Sequence, residues 1–219
     1  MSLRDIKERA RESLAGNWFV AIVASFIATI FGATGGGVSS SSSEEVDFSK
    51  LSELSPNELI ATLAVFGGFL LLGVIVSLIL TSLVSVGYAQ FNIDLIDGDK
   101  PRIGTLFSKV KQIGTIILAN LMIFIRVLLG TFLFVIPGII AVYKYAMVNY
   151  IIAENPGISA REALERSKEI MRGNKFRFFL LGLSFFGWAH VVVLTLGIAG
   201  IWVVPYMQAS YASFYREIS

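Results

Sequence analysis

Residues 155–188 read NPGISAREALERSKEIMRGNKFRFFLLGLSFFGW, and this stretch decides the fold. Its first half is a charged helix with one apolar side. Ser159 stands where a helix cap is expected and Glu162 where a carboxylate reaches back, the spacing of a capping box. Ile158 and Ala163 are placed to close a hydrophobic staple. Ala160, Ala163, Leu164, Ser167, Ile170 and Met171 share one face at helical spacing. Arg161, Glu165, Arg166, Lys168, Glu169 and Arg172 cover the other. Gly173 predicts the stop, because glycine enters the left-handed conformation at little cost. Asn174 is then placed to cap the next helix, which is apolar from Phe176 onward. The stretch predicts a tight elbow at Gly173 and Asn174, joining a helix that lies on a membrane to one that enters it. Two roles are open for the helix at 159–172: sealing the ends of the membrane helices, or docking a protein partner.

Composition agrees with a membrane protein. The chain has 219 residues, 55% hydrophobic and only 16% charged, with a mean hydropathy of +0.72. Soluble domains carry about 25% charged residues. Several apolar runs reach the length of about 20 residues that crosses a bilayer. A net charge of +2, without a basic cluster on a polar domain, gives no footprint for nucleic acid. With no cysteine, thiol catalysis, disulfides and thiolate metal sites are excluded, and a single histidine leaves little for metal chemistry. No cleavable signal peptide is expected, because a charged segment precedes the first apolar run.

The expected fold is all-α: a polytopic bundle of six transmembrane helices in three hairpins, forming one integral membrane domain over 1–219. Residues 2–15 form a charged helix, and Gly16 with Asn17 makes the first elbow. Crossings are expected at about 18–33, 57–86, 113–134, 138–153, 176–196 and 199–215, with a flexible external loop at 35–55. Ser55-Pro56-Asn57-Glu58 predicts a capped helix start with proline at its favoured first position. A polar loop with Asp94 and Asp97 and a short basic helix near 102–112 follow the second crossing. Pro137-Gly138 is expected to turn the next hairpin, and Pro205 to bend the last helix. Four Lys or Arg near the amino end, four around 100–111 and six over 161–177 stand against Lys50 alone on the other side. Both termini are therefore expected in the cytoplasm, in the cell membrane.

The chain also repeats itself. Residues 2–19 (SLRDIKERARESLAGNWF) align with 159–176 (SAREALERSKEIMRGNKF) on serine, arginine, glutamate, glycine, asparagine and phenylalanine. The even-numbered crossings end alike: Tyr88 with Asn92, Tyr145 with Asn149, Tyr206 with Ser210. These observations read as three units, each a charged surface helix and a two-helix hairpin. Shared composition of charged helices is the competing explanation.

Several segments resemble an integral membrane family catalogued as domain of unknown function nine hundred seventy-five. They are A-x-x-x-L-x-G-N-W at 10–18, PGII at 137–140, YIIAENP at 150–156, SAREALERSKEIMRGNK at 159–175, SFFGW at 184–188 and WVVPYMQASYASFY at 202–215. The resemblance spans nearly the whole chain except the loop 35–55. It implies a fold and a membrane location, and no catalytic residues. Its pattern often has serine at the position of Lys144 and an apolar residue at His190, so a role for either is particular to this chain.

Ionisable groups inside a bilayer are functional hypotheses by default. Here they are Arg126, Lys144 and His190, with no aspartate or glutamate inside any crossing beyond Glu58 at the capped start of the second. A carboxylate proton relay is thereby disfavoured. The two cations point to a site for an anionic lipid or small anion, or else they snorkel to the interface. Lys144 lies about 15 Å from the expected cytoplasmic end of its crossing, far for snorkelling. His190 is expected as a hydrogen-bonded packing residue. The Tyr88/Asn92, Tyr145/Asn149 and Tyr206/Ser210 pairs each form a polar strip, since residues four apart share a helix face. Three strips either converge on a binding site or serve as interhelical glue. Gly67, Gly68, Gly73, Gly182, Gly187, Gly197 and Gly200 are expected to permit close helix approach. No metal spacing, nucleophile elbow or carboxylate pair calls for catalysis or a cofactor. The expected function is a non-enzymatic structural or accessory membrane protein in contact with membrane lipids. The alternative is a transporter or a lipid- or anion-binding protein.

Overall fold

The computed structural model describes residues 2–30, 56–133 and 135–219, and within them every regular element is helical. The expected loop 35–55, the end of the first crossing and Ser55 lie outside the described residues.

Helix α1 (Leu3–Leu14) opens on a complete capping box. Asp5 Oδ2 accepts from the Ser2 backbone N–H at 2.7 Å, and Ser2 Oγ accepts from the Asp5 N–H at 3.2 Å. Those two bonds hold the Asp5 carboxyl below the usual carboxylate range. Ile6, Ala10 and Leu14 are buried, while Arg4, Glu8 and Arg11 are not. Helix α2 (Trp18–Ile30) leaves α1 at a bend of 104°. Gly16, at φ +84°, makes that bend.

Helix α3 (Pro56–Asp97) has 42 residues and is about 60 Å long. It begins at Pro56 as expected but continues well past Val86. Asp94 and Asp97 therefore sit on its last turns and not in a loop. The expected basic helix near 102–112 is instead two 3₁₀ turns, Ile103–Phe107 and Val110–Gln112. The first buries Leu106 completely against α3.

Helices α4 (Ile113–Leu133) and α5 (Val135–Lys144) pack against each other at Gly130 and Gly138. Pro137 and Gly138 lie inside α5 and not in a turn. Pro137 occupies the first turn of the helix, where no N–H is needed. The expected fourth crossing is interrupted: α5 ends at Lys144, residues 145–147 form a turn, and α6 (Val148–Glu154) resumes. Helix α7 (Ala160–Ile170) is capped by Ser159 Oγ, which accepts from the Glu162 N–H at 3.2 Å. The fifth crossing is also broken, into α8 (Lys175–Leu183) and α9 (Phe186–Leu194) at Ser184–Phe185. Helix α10 (Gly200–Ile218) runs through a buried Pro205.

The second elbow matches the first, with Gly173 also at φ +84°. Asn174 acts differently from expectation. Asn174 makes no side-chain cap to α8; its amide donates back to the Ile170 carbonyl at 2.9 Å. Asn17 donates back to the Ser13 carbonyl at 3.5 Å. Each asparagine closes the helix behind it, where the last carbonyls lack partners.

Four described segments are long and apolar enough to cross a membrane: Val76–Asp97, Ile103–Phe132, Val135–Glu154 and Lys175–Leu194. The bent pair α1 and α2 makes a fifth if counted as one span. Burial divides the molecule into two zones. Large apolar side chains are exposed along Leu72–Leu78, Ile117–Val142 and Phe176–Trp202. The buried core gathers elsewhere, from the ends of α3, α6 and α10, wrapped by the apolar faces of α1 and α7.

The glycines that permit close approach are not the expected ones. An added Cβ would meet nothing within 4 Å at Gly67, Gly68, Gly73, Gly187 or Gly197, and only ordinary contacts at Gly182 and Gly200. Among the described residues, the tight positions are Gly87, Gly130 and Gly138.

Candidate functional site

The two cations come together. Arg126 on α4 donates from Nη1 to Tyr145 Oη at 3.2 Å. Its guanidinium carbon lies 5.4 Å from the Tyr145 ring centroid, and Lys144 Nζ lies 5.3 Å from the same centroid. Tyr145 is buried, whereas both cations are partly exposed. Among the described residues, neither cation forms an ion pair. The turn after Lys144 explains how it is presented. Its backbone carbonyl, freed by the helix break, accepts from Ser167 Oγ of α7 at 3.0 Å. Lys144 is thus one side chain away from the charged helix α7, nearer than helical rise along an unbroken crossing implies.

The three tyrosine strips do not converge as a set. Tyr88 is buried and shares a 2.6 Å hydrogen bond with Ser25 on α2. Asn92 and Ser210 turn inward on their own helices, donating to the Tyr88 and Tyr206 carbonyls at 2.8 Å each. Tyr145 goes to Arg126. Tyr206 packs edge-on against Phe185 and faces α1, beside Lys7 and Arg11. Tyr88 and Asn149 do share one cavity. With Ser85, Tyr150, Gln208 and Tyr211 they line a cavity of about 220 Å³ between α3, α6, α8 and α10. That lining holds hydroxyls and amides but no carboxylate, imidazole or ammonium. It suits hydrogen bonding to water or a small neutral solute, and it offers no acid–base pair.

His190 Nδ1 donates a hydrogen bond at 3.0 Å to the Phe186 carbonyl, and its ring meets Phe186 edge-on. The expected hydrogen bond is present. The expected packing is not, since the residue is exposed.

Sequence reasoning missed a cluster at the ends of the helices. Arg216 on α10 is bidentate to Asp97 on α3, with Nε to Oδ1 at 2.9 Å, and its Nη1 pairs with Glu154 on α6. Tyr215 Oη donates to the same Glu154. Arg177 on α8 joins Glu217 at 2.7 Å. One guanidinium fork thereby ties three helices together. A signal was available. Asp97, Glu154 and Tyr215 each stand nine residues after Tyr88, Tyr145 and Tyr206.

The described residues are all-helical and include several helices long and apolar enough to cross a membrane, which fits a membrane protein. Residues 59–219 match the family described as Protein of unknown function (DUF975), and the chain belongs to that family. No curated protein and no solved structure matches.

Proposed function

We propose that this is a non-enzymatic, multi-pass accessory protein of the cell membrane. It crosses the bilayer six times as three hairpins, and both termini are cytoplasmic. The observation that carries this reading is the Arg216 cluster. It locks the ends of α3, α6 and α10 together, while α1 and α7 wrap the same core with their charged sides outward. A structure closed in this way fits a scaffold better than a pore.

Internal repetition is part of the same reading. Ser2 and Ser159, Gly16 and Gly173, and Asn17 and Asn174 occupy aligned positions and make matching bonds or dihedrals. Compositional likeness alone does not require the same side chain to bond the same relative carbonyl.

Flux across proteoliposomes tests the function. Vesicles containing the protein are expected to pass labelled phosphate, sulfate and chloride no faster than empty ones. A saturable flux that disappears in Lys144→Ala would replace the accessory reading with a transporter.

A further inference from the structure

We propose that Arg126, Lys144 and Tyr145 bind the phosphodiester headgroup of an anionic phospholipid at the edge of the α4–α5 pair. This goes beyond the accessory function and does not depend on it. The two cations reach one buried aromatic ring, at 5.4 Å and 5.3 Å from its centroid. The Tyr145 hydroxyl fixes Arg126 in place. The Ser167 bond to the Lys144 carbonyl fixes the backbone from which the lysine projects. Two positive groups on one ring, with no carboxylate paired to either among the described residues and an apolar surface beside them, offer a negative group a partner at the membrane. A guanidinium fork and an ammonium together match phosphate oxygens.

The neighbouring surface selects the kind of phosphate. Phe124, Leu128 and Leu129 on α4, and Val135, Ile139 and Val142 on α5, are all exposed. A free phosphate ion gains nothing from them. A phospholipid brings acyl chains that cover this surface while its headgroup sits on the cations.

Native mass spectrometry of the full chain, released from detergent with equal phosphatidylglycerol and phosphatidylcholine, tests the site. Thermal melts with inorganic phosphate accompany it. The wild type is expected to retain phosphatidylglycerol over phosphatidylcholine by roughly 25-fold, about fivefold from each cation. Lys144→Gln alone, which leaves the Arg126–Tyr145 bond intact, lowers the preference about fivefold. Arg126→Gln with Lys144→Gln abolishes it. Arg161→Gln, on the exposed face of α7, leaves it unchanged. Inorganic phosphate gives no shift in melting temperature. The proposal is overturned if the double variant keeps the preference, or if Arg161→Gln loses as much of it, which would mean diffuse attraction. It is equally overturned if inorganic phosphate protects the wild type as well as the lipid does. Loss of the lipid site with no ion flux leaves the accessory reading standing.

Discussion

Gly87 shows how much one hydrogen atom decides. The backbone of the 3₁₀ turn at Ile103–Phe107 lies so close to α3 that an added Cβ would sit 1.9 Å from the Leu106 carbonyl oxygen and 2.4 Å from its carbon. Backbone atoms cannot swing aside as a side-chain tip does. Gly87→Ala therefore pushes the turn off α3 and uncovers Leu106. The expected loss is about 1–3 kcal/mol, read as a lower unfolding midpoint in detergent. Gly114→Ala, where nothing lies within 4 Å, is the control and should cost nothing. Leu196 is the opposite case. It holds φ +50° at the end of α9, with its N–H bonded to Val193 and the Gly197 N–H bonded to Val192. Those two bonds form a Schellman stop whose left-handed position glycine usually fills. Leu196 is also 93% exposed and buries little. Leu196→Gly should therefore stabilise the protein by about 0.5–1 kcal/mol, and an unchanged or lower midpoint would show that the strain is absent. Neither position was legible in the sequence. A close approach belongs to two segments at once, and a glycine's own neighbours in the chain do not reveal it.

At the scale of elements, the legible features were those settled within one turn of chain. Ser2 and Ser159 cap their helices, and Gly16 and Gly173 end them, because each depends only on residues a few positions away. The two helix breaks were not legible. No proline marks 145–147 or 184–185, and both runs read as continuous apolar helices. Side chains from distant surface helices satisfy the freed carbonyls. Ser167 of α7 donates to Lys144, and Lys7 of α1 donates to Ser184 at 3.4 Å while its ammonium rests 4.3 Å from the Phe185 ring centroid. Each surface helix thus pins a break in a membrane-length helix. Ser167 is completely buried, so Ser167→Ala leaves the Lys144 carbonyl without that partner. The expected cost is about 1–2 kcal/mol. Hydrogen exchange places the effect, since amides from 145 to 151 should exchange faster while α1 and α2 are unchanged. Uniform acceleration over the whole chain would instead mean that Ser167 only fills space.

For the whole molecule, the charge pattern and the fold both group parts of the chain at one end. Lysine and arginine counts place the amino end, the segment around 100–111 and the segment around 161–177 on one side. The structure brings neighbouring parts of the chain together. Helix α1 packs on α10, Lys109 Nζ donates to the Ala153 carbonyl at 2.5 Å, and Arg216 reaches Asp97 and Glu154. The number of crossings depends on whether α2 passes through the bilayer, because its described part is only 13 residues long. Cysteine labelling decides this cleanly, as the chain has no cysteine of its own. Single replacements at Ser41, Ser108 and Ala199 are treated with a membrane-impermeant maleimide on intact cells, then after permeabilisation. Six crossings predict that S41C and A199C label from outside and that S108C labels only after permeabilisation. If α2 turns back within the membrane, S41C becomes inaccessible from outside. The orientation of α3 must then reverse, exposing S108C, or α3, one continuous helix, must lie along the cytoplasmic face and leave S108C protected. The first outcome would put the positive segment around 100–111 outside, against the positive-inside bias. The second would leave four crossings after α3 and keep that bias. Labelling of S41C and S108C together therefore separates six crossings from four, while A199C reports whether the last hairpin keeps its place.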